Sequence, residues 1–131
     1  MNTGGHLWMT PLGNGPRNHP LLKDLNVPPL GGGYHRGSVL VTKTLLFVGV
    51  SALHSSGVPE PPAWAEWADP DDDRKLIYVF DKQSGQLLRA IEIDGLSAAA
   101  PMTYLHNGTQ YIVAAVGGGP TSELVALSLR N

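Results

Sequence analysis

With 131 residues the chain has the length of one domain and can bury a moderate core. Only 15% of its residues are charged against 42% hydrophobic, with Gly (16) and Pro (11) plentiful, which suits short strands and turns rather than a helical bundle. A net charge of −2 excludes the basic field that nucleic acid or an anionic membrane would require, and the absence of cysteine excludes disulfides and thiolate metal sites.

No run reaches the roughly 18 consecutive apolar residues of a membrane span. Met1 to Thr10 has no basic region followed by an apolar stretch, so no signal peptide is expected in these residues. On its own that places the chain in the cytoplasm, unless a missing front carried the leader.

The first segment holds a short apolar stretch at Leu7, Trp8 and Met9, then meets the turn signal Gly13-Asn14-Gly15-Pro16. Between Arg17 and Arg36 the chain is rich in Pro and Gly. It admits a helix of about two turns over Pro20 to Leu25, which Pro28-Pro29 would end. Ser38 to Thr42 and Leu45 to Val50 read as an antiparallel pair joined at Lys43-Thr44. Their near-continuous apolar residues suggest strands covered on both faces.

Ser51 to Arg74 fits no regular element, and structureless loops of that length tend to be functional or disordered. Lys75 to Asp81 is a third strand, rich in β-formers. Ser84-Gly85 turns the chain into Leu87 to Ile93, where Leu87, Arg89, Ile91 and Ile93 alternate against Leu88, Ala90 and Glu92. A second meander then follows. Ala100 to Leu105 leads to the hairpin signal Asn107-Gly108, Gln110 to Val116 returns, and Glu123 to Leu129 is the last strand.

Tandem sheets of antiparallel strands are the unit of a β-propeller, so internal repetition is the natural test. Asn2-Thr3-Gly4-Gly5-His6-Leu7-Trp8 and Lys82-Gln83-Ser84-Gly85-Gln86-Leu87-Leu88-Arg89 share a hydroxyl residue, a glycine and a strand leaving it. Both resemble the tryptophan-docking motif of pyrroloquinoline quinone (PQQ)-dependent dehydrogenases. Thr3, Gly4 and Trp8 match in the first copy, and Asp81 and Gly85 in the second. There Ser84 stands for the motif's Thr, Gln86 for its acid and Arg89 for its tryptophan.

The stretch Ala100-Pro101-Met102-Thr103-Tyr104, with Asn107 to Gly118, is similar to the last-blade signature of membrane glucose dehydrogenase and related quinoproteins. Pro11-Leu12-Gly13, Gly15 to Pro20 and Leu40 to Phe47 also look like that group. The resemblance spans nearly the whole chain apart from Ser51 to Arg74.

It implies an all-β fold of antiparallel four-stranded blades forming a partial β-propeller, and a C-terminal fragment of a larger ring. Residues 1–12 then end one blade and 13–37 form a linker. Residues 38–95 make a blade with the insertion 51–74, and 98–131 make a three-stranded last blade. By family the parent is a periplasmic oxidoreductase, oxidising an alcohol or sugar with PQQ and a divalent cation (Ca or Mg). This part is expected to be inactive alone, since the base and most metal ligands come from earlier blades. The alternative is a non-catalytic PQQ-like propeller that scaffolds protein assembly.

Among candidate site residues, only His35 and Arg36 have a positive case for cofactor binding. The first strand of a blade lines the channel, so an arginine at its entry either pairs with a PQQ carboxylate or sits on a blade rim. No catalytic and no metal-binding residue is assigned. The acidic run Asp69, Asp71, Asp72, Asp73 lacks the spacing, glycine and final Glu of a calcium loop and reads as a solvated tip. His6, His19, His35, His54 and His106 are scattered without ligand spacing. Gly31 to Gly33 and Gly117 to Gly119 are turns, not phosphate loops. Trp64 and Trp67 are expected to pack the long loop onto the propeller rather than cap a channel. The remainder of the propeller, or a second copy, is the expected partner, meeting Val125, Leu127, Leu129 and the last sheet's open edge.

Overall fold

The computed structural model describes residues 4–31, 35–52, 66–67, 76–95, 97–117, 120 and 122–128. Seven strands make up its regular structure: β1 (His35–Val41), β2 (Leu45–Ala52), β3 (Leu76–Asp81), β4 (Leu87–Glu92), β5 (Met102–His106), β6 (Thr109–Val116) and β7 (Glu123–Ser128). They form two antiparallel meanders, a four-stranded sheet ordered β1-β2-β3-β4 and a three-stranded sheet ordered β5-β6-β7. All seven strands read from the sequence are present, and the fold is all-β with blade-like sheets.

The two sheets pack face to face. Phe47, Ile77 and Val79 of the first meet Ile112, Ala114 and Val116 of the second, with Ile93 closing the cluster. A bridge between Ser97 and Val116, and a bond from Ala98 N to Ala115 O (2.8 Å), tie the connecting segment to β6. Ser97 is fully buried and its hydroxyl donates to Ala99 O at 3.0 Å. Gly49 is required beside it, since a Cβ there would lie 2.5 Å from Ser97 Oγ.

The opposite face of the first sheet is covered by the chain's own N-terminal coil. Pro11, Leu12, Asn14 and Pro29 stand over Tyr78, Phe80 and Leu87, around a cavity of about 440 Å³. Backbone bonds from Leu30 N to Asn14 O and from Gly31 N to Gly13 O hold the coil together, and Arg17 Nη1 donates to Val27 O at 2.6 Å.

Four expectations change. The Pro20–Leu25 segment forms turns, with one i to i+4 bond from Lys23 N to His19 O, because prolines bracket it too closely for propagation. Residues 4–12 carry no strand. Double coverage applies to β2 and β3, whose residues are buried on both faces, but not to β1, where Val39 and Val41 stay about half exposed. The alternation read for Leu87 to Ile93 is interrupted by a register shift at Val79/Phe80, which leaves Leu87 and Leu88 both half exposed.

The last sheet departs from expectation in its facing. Val125 and Leu127 turn inward and pack against the core cluster. The open face is the other one, with Leu124 76% and Met102 57% exposed, beside the stacked pair Tyr104 and Tyr111 (5.1 Å between centroids). Leu129 lies outside the described residues.

Candidate functional site

The best-defined polar arrangement is the turn joining β3 to β4. Asp81 ends β3, and its Oδ1 accepts from Gln83 N (3.0 Å), Ser84 N (2.7 Å) and Ser84 Oγ (2.8 Å). These bonds, led by that from Ser84 N, hold the Asp81 carboxyl below its ordinary value of 3.8. Gly85 N donates to Asp81 O and Asp81 N to Gln86 O, both at 2.9 Å, so the loop closes on itself. Lys82 fastens it to the neighbouring turn, N to Thr44 O (2.9 Å) and Nζ to Thr42 O (3.1 Å).

Trp8 docks on this turn. Its indole Nε1 donates to Lys82 O at 2.9 Å. Its ring covers Gly85, whose φ of +71° and lack of a side chain are both needed: a methyl there would enter the indole. The tryptophan of the first motif copy thus seats on the glycine of the second, joining the N-terminal coil to the four-stranded sheet across 74 residues of chain. That geometry is what the repeat predicts for a tryptophan lying between successive units.

A family model described as the β-propeller domain of PQQ glucose, ethanol and alcohol dehydrogenases matches residues 1–112. The chain belongs to this PQQ dehydrogenase propeller family. The match begins before Trp8, spans the first sheet and ends inside β6. No curated protein and no solved structure matches the chain. Membership explains why Ser84 serves where the motif has Thr: both offer a hydroxyl that reaches Asp81 and caps the turn.

His35 and Arg36 are the first two residues of β1, paired with Ala52 and Ser51, rather than residues preceding a strand that starts at Ser38. Their backbone stands at the sheet end from which the insertion leaves; their side chains lie outside the description. Among the described residues no three His, Asp or Glu converge as metal ligands.

Trp67 packs on the N-terminal coil, where packing of the loop onto the propeller blades was expected. It meets the His19 ring edge-on at 4.6 Å, and its carbonyl accepts from Asn18 N at 3.0 Å. Trp64, His54 and the acidic run 69–73 lie outside the described residues. Sequence reading missed Lys82 and Thr42, because their roles run mainly through backbone carbonyls, which no side-chain pattern reports.

Proposed function

We propose that the chain is the C-terminal part of a membrane glucose dehydrogenase-like quinoprotein that oxidises an alcohol or sugar in the periplasm. The observation that carries this reading is the Trp8 indole seated on the Asp81–Gly85 turn, in a chain whose family model is that of PQQ dehydrogenases. The likeness of Ala100 to Gly118 to a last blade supports the C-terminal placement. PQQ with a divalent cation would supply the electron-accepting chemistry in the parent. His35 and Arg36 are proposed to contribute near it from the end of β1.

The apolar outer face of β5–β7 supports a partner: the remainder of the propeller, with a second copy as substitute when that is absent. The test compares the chain alone with the same chain joined to its upstream coding sequence, each supplied with PQQ and calcium. Dye reduction with glucose or ethanol is expected only from the longer protein. A longer protein that neither binds PQQ nor reduces the dye would overturn the enzyme reading and favour a scaffold. Activity of the chain alone would refute the incompleteness of its site.

A further inference from the structure

The sequence contains two Asn-Gly pairs, Asn14-Gly15 and Asn107-Gly108, and the fold treats them in opposite ways. Asparagine followed by glycine is the pairing most open to spontaneous loss of its side-chain amide, because glycine leaves the following backbone nitrogen unshielded. Sequence alone ranks the two pairs equally.

The first pair is clamped. Gly15 is buried, and a Cβ on it would lie 2.7 Å from Gly31 O. Asn14 O accepts from Leu30 N, and Gly15 O accepts from Arg17 N at 2.7 Å. Turning this peptide unit toward the Asn14 side chain requires undoing the coil.

The second pair is free to react. It forms the two-residue turn between β5 and β6, with φ of +49° at Asn107 and +78° at Gly108. Open space surrounds Gly108, and every residue of β5 is exposed. Reaction requires the Gly108 nitrogen to come onto Asn107 Cγ, which a local opening of the turn allows. That opening is cheap at an exposed hairpin on an edge strand. The Asn107 Nδ2, which must depart, lies 3.3 Å from His106 Nε2.

We propose that Asn107 is a self-modification site whose deamidation is assisted by His106. The Gly108 backbone nitrogen loses its proton, through water, to His106 Nε2, which accepts from Asn107 Nδ2 in the closed turn, and bonds to Asn107 Cγ. The Cγ–Nδ2 bond breaks, and Nδ2 leaves as ammonia, taking its extra proton from the His106 Nε2 that has just received one. Water then opens the cyclic imide at either carbonyl, leaving aspartate or isoaspartate at position 107. No oxidant or enzyme is required. The isoaspartate product adds a backbone atom to a two-residue turn, which breaks the His106–Thr109 and Leu105–Gln110 pairing and unstacks Tyr104 from Tyr111.

The test incubates the purified full chain in neutral buffer and follows both sites by peptide mapping, with isoaspartate scored by enzymatic methylation. Conversion at Asn107 is expected to run roughly tenfold or more ahead of conversion at Asn14, a difference of about 1.4 kcal/mol in barrier. Equal rates, or Asn14 converting first, would overturn the proposal. The His106→Gln variant is expected to slow Asn107 several-fold while leaving Asn14 unchanged; an unchanged Asn107 rate would remove His106 from the mechanism. Because Gly108→Ala risks misfolding at positive φ, Asn107→Asp serves as the second variant. It should retain the hairpin amides' slow hydrogen exchange, whereas isoaspartate-containing wild-type chain should lose it.

Discussion

The two sheets are built from similar strands yet meet different surroundings. In the four-stranded sheet, β3 is buried on both faces: Ile77 and Val79 against the second sheet, Phe80 beneath the coil that carries Pro11 and Leu12. The three-stranded sheet has one covered face, formed by Ile112, Ala114, Val125 and Leu127, while Met102, Tyr104 and Leu124 face outward. Among the described residues no Asp, Glu, Lys or Arg lies on that outer face. The contrast teaches that the coil, not the strand sequences, completes the first sheet, while among the described residues nothing covers the outer face of the second.

The largest effects should come from the shared core. Ile77 is fully buried between the sheets, and Ile77→Ala is expected to destabilise by about 4 kcal/mol in urea unfolding, with both sheets melting together. Separate transitions for the two sheets would break the comparison, since each would then hold its own core.

Removing the docked indole comes next. Trp8→Ala should cost about 2 kcal/mol, because the ring is only half-buried, and should speed amide exchange across the 81–86 turn. Gly85→Ala should cost about as much in the native background, from positive φ and the clash together. In the Trp8→Ala background only the backbone part remains, about 1 kcal/mol. A strictly additive cycle would mean that the indole does not rest on Gly85.

Opening the second sheet's outer face to charge should act on association rather than on folding. Leu124→Glu with Met102→Lys is expected to change stability by under about 0.5 kcal/mol while abolishing self-association in sedimentation at low micromolar concentration. If the wild-type chain is already a monodisperse monomer that binds no hydrophobic dye, the outer face needs no partner.

The smallest effect concerns Asp81. Its folded carboxyl titrates below 3.8, so its contribution to stability is fully present above that value and lost as pH falls through the lower, folded one. Asp81→Asn should therefore narrow the difference from wild type as the solution is acidified. A difference independent of pH would show that shape, not charge, closes the turn.

Much of this was legible in the sequence. β-formers between turn signals located all seven strands, and two imperfect motif copies revealed the repeat. In the last strand Val125 and Leu127, expected to be partly uncovered, are partly buried against the core, and the more exposed residue is Leu124. Alternation separates the faces of a strand without naming the covered one, because Val125-Leu127 and Leu124-Ala126 are almost equally apolar. At β3–β4 a bulge at Leu88, the residue left unpaired between Arg89 and Leu87, shifted the pattern by a residue, which periodicity alone does not foresee.

The sequence by itself determined the strands, their hairpin turns and the family, since these depend on neighbours a few residues apart and on motif spacing. Tertiary structure decided which faces are buried, that Trp8 seats on Gly85 some 77 residues away, and that one Asn-Gly pair is clamped while its twin is open. Those outcomes depend on what packs against each segment, and residues distant in the chain supply it.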